Sequence, residues 1–211
     1  QDDAALRALC ARLAGAEWIA LDTEFMRVRT YSARLCLIQV ATPQVIACVD
    51  PLALGGDAQG RASAAIGGMP EAAIDPLLDV LYDARALKVL HAARQDLEVF
   101  FDIRQAVPAP VFDTQIAAAL TGYDDQIGYS ALVEKITGHK LPKVNQRADW
   151  AARPLTPELV AYETALLLGL FYGLAELGYP GAHGAHGDEV GLAYLGDEVG
   201  QGGLAAPRRP P

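Results

Sequence analysis

The sequence has no stretch of some eighteen apolar residues of the kind that crosses a bilayer, and no basic n-region followed by an apolar h-region. Neither membrane insertion nor export is therefore expected, and a cytoplasmic protein is. Cysteine is scarce: Cys10, Cys36 and Cys48 lack C-x-x-C spacing and sit in apolar surroundings. That pattern fits buried free thiols in a reducing compartment. The four histidines, His91, His139, His183 and His186, do not cluster with them, which argues against a zinc site. Positive charge is also short, with 17 Lys and Arg against 26 Asp and Glu and a net charge of −9. Broad non-specific nucleic-acid binding is disfavoured. A site built from carboxylates is not, because its own ligands count towards that negative sum.

The 211 residues are enough for one domain with a self-sufficient core. Residues 2–14 place Leu6, Leu9, Cys10 and Leu13 at helical spacing. "EWIALDTEF" (17–25), "LCLIQVA" (35–41) and "VIACV" (45–49) predict three strands in an antiparallel meander, with the turn "TPQ" before the third. A Gly-, Ala- and Pro-containing loop over 51–70 follows, then a helix over 76–85 started by Asp75 and Pro76. "LKVLHA" (87–92) predicts a buried strand and "RQDLEVFFDI" a helix packed on the sheet. "PVFDTQIAAALTG" (110–122) repeats the strand–helix step, with Asp113 as helix N-cap, and another helix runs from Ser130 to about Thr137. Thr156 and Pro157 open a long apolar helix reaching residue 177. The order predicts an α/β fold: a mixed central sheet, three antiparallel strands then parallel ones, flanked by helices. Nine of the twenty glycines fall in 178–203 and "GDEVG" occurs twice, so a domain over 1–178 and a poorly ordered tail over 179–211 are expected.

Asp22 and Glu24 lie two apart on a predicted strand and so share a face. Two such carboxylates repel unless a cation lies between them or one is protonated, and oxygen ligands on a rigid strand suit Mg²⁺ or Mn²⁺. The alternative is a strand end reaching solvent, where acids are common. By residue type alone, Asp96 reads as a helix first-turn acid and Tyr162 as a core residue.

"ALDTEFMRVRTYSARLCLIQVA", "HAARQDLEVF", "PVFDTQIAAAL" and "RADWAARPLT", in this order, resemble the motifs of the ribonuclease D family of DEDD exonucleases, in the tyrosine subtype. The resemblance spans roughly residues 5–177. It implies a ribonuclease H-like exonuclease fold and hydrolysis from RNA 3′ ends, such as those of tRNA precursors, with two Mg²⁺ or Mn²⁺ ions. It further implies that Asp22 bridges the metals, Glu24 holds one, Asp96 supports the other and Tyr162 orients the attacking water. The partner implied is a single-stranded 3′ end of tRNA-like RNA, met by a monomer without a membrane. Phe25, Arg27, Arg29, Tyr31, His91, Lys143, Arg147, Trp150 and Arg153 would contact it through stacking and phosphate charge. The bland reading of the 140–153 stretch is a solvated loop. The family also carries helical RNA-binding domains after the exonuclease domain, for which residues 178–211 offer no room.

The family's last motif is Tyr-x-x-x-Asp, and four residues after Tyr162 stands Leu166. Leucine cannot ligate, so one metal is expected to bind weakly. The chain is then a catalytically impaired RNA-binding homologue, or another acid substitutes: Glu163, or Asp197 or Glu198 beside Tyr194 in "LAYLGDEVG". A sequence from 163 onward that is not the native one is the third explanation.

Overall fold

A computed structural model describes residues 3–27, 33–54, 71–138, 140–141, 148–162 and 191–195. Helix α1 (Asp3–Leu13) leads into strands β1 (Trp18–Met26), β2 (Arg34–Thr42) and β3 (Val45–Val49). Then follow α2 (Pro51–Leu54), α3 (Glu71–Leu81), β4 (Leu87–Leu90), α4 (Arg94–Arg104), β5 (Val111–Asp113), α5 (Thr114–Leu120), α6 (Tyr129–Thr137) and β6 (Gly191–Leu195). The sheet order is β5-β4-β1-β2-β3-β6. β1, β2 and β3 form the antiparallel meander, while β4 runs parallel to β1, β5 to β4, and β6 to β3.

Both faces of the sheet are covered. On one, Leu6, Leu9 and Leu13 of α1, Ile74, Leu77 and Leu81 of α3, and Val99 and Phe100 of α4 close over Ile19, Leu21, Val40 and Val49. On the other, Cys36, Leu37 and Cys48 pack against Trp150, Leu155 and Val160. A bulge makes that second cluster possible: Glu24 pairs with Leu37 but Phe25 with Leu35, so Cys36 has no opposite number. Consecutive residues thereby reach the same face, and the strand bends beside the acidic pair.

Besides the short α2 at the start of the segment expected as a loop, two features depart from expectation. α3 begins at Glu71, not at residue 76, and contains Pro76. Proline inside a helix costs about 3 kcal/mol. Ile74, Leu77, Leu78 and Leu81 form one fully buried stripe that begins before it. Of these, Ile74 is the burial gained by starting the helix before the proline, and at about 2 kcal/mol it offsets much of that cost. The second departure is in the glycine-rich tail, where residues 191–195 extend the sheet as β6 by pairing with Val45–Val49.

Lys88 is 0% exposed on β4, yet none of its three N–H groups is wasted. They donate to the carbonyls of Asp83, Ala86 and Ala109 at 2.8, 2.6 and 2.7 Å. The ammonium thereby ties the loop that precedes β4, the strand leading to the candidate site, to the loop that precedes β5.

Candidate active site

β1 runs from the core into the open. Trp18 to Leu21 are buried, and from Asp22 onward burial alternates, with Thr23 buried between partly exposed Asp22 and Glu24. The two acids share a face, as their spacing predicts. Thr23 points to the other side, where its hydroxyl donates to Asp96 Oδ1 at 2.5 Å. Asp22 Oδ1 accepts the Thr23 backbone N–H at 3.0 Å. A single threonine therefore links both carboxylates, one through its backbone and one through its side chain.

Asp96 lies in the first turn of α4 and is only 7% exposed. Burial pushes its carboxyl up to about 6, against the pull of the Thr23 hydrogen bond. The turn that delivers it is held by Asp113, whose carboxylate accepts the backbone N–H of Ala92 and Ala93 at 3.0 and 2.9 Å and that of Gln115 at 2.8 Å. The N-cap role expected of Asp113 is present, and the same side chain fixes Ala92 at φ 56°. A left-handed alanine is disfavoured by about 1–2 kcal/mol. Here that conformation turns the chain from β4 into α4.

Because an acid held above its ordinary value loses stability as it ionises, the metal-free protein is penalised above pH 6 and not below pH 4. Asp96→Asn keeps the acceptor for Thr23 and removes the charge. At pH 7 in chelator the variant is expected to be more stable by about 2 kcal/mol, raising Tm by about 5 °C. The difference should vanish near pH 4; equal melting at both pH values contradicts this account of Asp96.

Tyr162 is half-buried at the end of a helical stretch over 157–162, whose Thr156 Oγ1 accepts the Leu159 N–H at 3.3 Å. A second tyrosine, missed by sequence reasoning, joins the site. The Tyr129 phenol is held well above its ordinary range by burial first, then by the charge of Asp22 and by Tyr162. Its ring meets His91 edge-on, with centroids 5.3 Å apart. In the sequence Tyr129 follows Gly128 at a helix start, a placement that carries no chemical signature of its own.

Several residues assigned to nucleic acid do other work. His91 Nδ1 meets Thr114 Oγ1 and Nε2 meets the Ile127 carbonyl, both at 2.9 Å, and burial lowers its pKa. With both ring nitrogens engaged, it braces Tyr129 instead of offering a cation. Trp150 is buried in the second core cluster, unavailable for stacking on a base. Phe25 packs against the main core. Arg153 uses all five of its N–H groups internally: on Asp50 at 2.5 and 2.7 Å, and on the carbonyls of Trp150, Ala152 and Cys36 at 2.7, 2.8 and 2.8 Å. No donor remains for a phosphate. Arg27 stays exposed, and Arg29, Tyr31, Lys143 and Arg147 lie outside the described residues.

Leu166, Glu163, Asp197 and Glu198 also lie outside them. Tyr194 does not. Register runs Asp22↔Gln39, Gln39↔Cys48, Cys48↔Tyr194. Three strand spacings, roughly 14 Å, separate Tyr194 from Asp22. A displaced motif at β6 is therefore remote from the acidic pair.

Among the described residues no three His, Cys, Asp or Glu side chains form a ready-made metal cage. The donor chemistry still suits Mg²⁺, which takes one or two carboxylates and completes its shell with water and substrate phosphates. Asp22 and Glu24 fit that pattern, and buried Asp96, tied to Asp22 through Thr23, brings a further carboxylate from α4.

A family model described as 3′-5′ exonuclease matches residues 1–165. A ribonuclease D of Nitrobacter hamburgensis is 41% identical over 162 residues, which cover 77% of this chain and 38% of that protein. The chain thus spans little more than a third of the relative's length. Among solved structures, Escherichia coli RNase D, an exoribonuclease involved in structured RNA processing, is similar with a TM-score of 0.70 and 38% identity over 84% of this chain and 42% of that one. Brucella melitensis NrnC bound to pGG is similar with a TM-score of 0.60 and 25% identity, over 77% and 72%.

Proposed function

Since the chain belongs to the 3′-5′ exonuclease family and is ribonuclease D-like within it, we propose that it hydrolyses RNA from the 3′ end with Mg²⁺ or Mn²⁺, trimming structured RNA such as tRNA precursors. The observation that carries this reading is that Thr23 links Asp22 to Asp96 at the open end of β1, where Glu24 shares the face of Asp22 and Tyr129 lies close enough to feel both Asp22 and Tyr162. The cations would stabilise charge on the entering and leaving oxygens and ease deprotonation of the attacking water. Asp22 would be shared by the two cations, with Glu24 holding one of them and Asp96, from α4, supporting the other. Tyr162 would orient the water, with Tyr129, braced by His91, near enough to feel its phenol. The single-stranded 3′ end would add its phosphate oxygens to the few carboxylates that the described residues offer.

A second reading is favoured by Leu166, which stands where the family's fourth carboxylate is expected: a homologue that binds RNA and cuts it poorly. The two are separated by a time course on 5′-labelled single-stranded RNA with Mn²⁺, comparing the parent with Leu166→Asp. Stepwise 3′ shortening by both supports the enzyme. Cutting by Leu166→Asp alone supports the impaired homologue, and no cutting by either overturns the hydrolase proposal.

A further inference from the structure

Two arginines from different elements meet one carboxylate at the rim of the site. Arg27, just beyond β1, reaches Glu98 Oε2 at 3.4 Å, and Arg94, the first residue of α4, reaches Glu98 Oε1 at 3.4 Å. Both contacts are long and exposed, with the Arg94 side chain 89% accessible. Arg94 lies two residues from Asp96. Arg27 lies three residues beyond Glu24, about 10 Å along the strand.

Helix stability does not account for Arg94. A cation in the first turn opposes the helix dipole. Its i,i+4 pairing runs Arg to Glu, the weaker order for such a pair. The N-cap, Ala93, adds no side-chain bond to offset this. In a chain of net charge −9, two guanidinium groups placed side by side where helix physics disfavours one point to an external anion.

We propose that Arg27 and Arg94 form a track for backbone phosphates of single-stranded nucleic acid upstream of the 3′-terminal nucleotide, with Glu98 as the internal anion that those phosphates displace. The proposal rests on the exonuclease reading for the polarity of the strand. Glu98 holds the two cations apart from each other's repulsion while the site is empty. It also sets a threshold that weakens binding of short or weakly charged ligands.

The test is fluorescence anisotropy of a labelled single-stranded RNA 12-mer in chelator, from 50 to 300 mM salt. Glu98→Gln should bind about fivefold tighter at low salt, since it releases two exposed pairs. A misfolded variant cannot tighten binding, so this arm is protected from trivial failure. Arg27→Gln/Arg94→Gln should weaken binding and reduce the slope of log affinity against log salt by about 1.4, the value for two single-strand phosphates. Unchanged affinity in Glu98→Gln together with an unchanged slope in the double variant overturns the track. Parallel incubation of the parent with Mn²⁺ separates this from the wider reading: RNA bound through the track but never shortened leaves the track standing and removes the hydrolase. Shortening with no effect of either variant on binding does the reverse.

Discussion

Arg153→Ala is expected to cost about 3–5 kcal/mol of folding stability, a large part of the roughly 5–15 kcal/mol that holds a domain of this size. Asp50 is 0% exposed and the Arg153 side chain only 16%. Removing the guanidinium strands a buried carboxylate without its cation, although the N–H groups of Leu52 and Ala53 still donate to it at 3.0 and 3.1 Å. It also strips partners from the carbonyls of Cys36, Trp150 and Ala152. The pair spans 103 positions of sequence, so it joins the end of β3 to the segment that carries Trp150 and Tyr162. Urea denaturation measures the loss. Arg153→Lys should recover little, because an ammonium lacks the planar fork that engages both Asp50 oxygens. The double change Asp50→Leu/Arg153→Met should recover much of it, since neither charge is then left buried alone. A loss below 1 kcal/mol in Arg153→Ala would show that the clasp is not what seats the segment.

That clasp also explains where reading from sequence stops. The meander was legible because alternation and a short turn are local properties, and they reappear as β1, β2 and β3. The shared face of Asp22 and Glu24 was legible for the same reason. The family resemblance points Arg153 and Trp150 towards nucleic acid, but their roles depend on Asp50 and Cys36, more than a hundred residues earlier. Composition reveals that five donors exist, not where they are used. Tyr129 was overlooked for the converse reason: only the packing of α6 against His91, and its nearness to Asp22, gives an ordinary helix-start tyrosine a chemical setting. Pro76 misled because a strong local stop signal lost to a buried stripe that extends on both sides of it. β6 lies in a glycine-rich stretch with little strand propensity, and its pairing with β3 is a tertiary contact.

Asp22→Asn is expected to lower RNA shortening by about a thousandfold or more while leaving the fold intact, because on the proposed reading several kcal/mol of transition-state stabilisation would pass through the cation that this carboxylate would hold. Asparagine retains an oxygen to accept the Thr23 N–H, so β1 keeps its register with β2. Loss of one charge from the Asp22–Glu24 pair relieves repulsion in the metal-free protein, and Tm in chelator should not fall. Mn²⁺ titration should show weakened binding in step with activity, which a purely structural defect would not produce. The position of Leu166 makes the choice of background matter. If the parent cuts RNA, the comparison is made in the parent; if only Leu166→Asp cuts, Asp22→Asn is added to that variant and must silence it. Cleavage within about threefold of the background in either case would mean that the face shared by Asp22 and Glu24 is not where the cation sits.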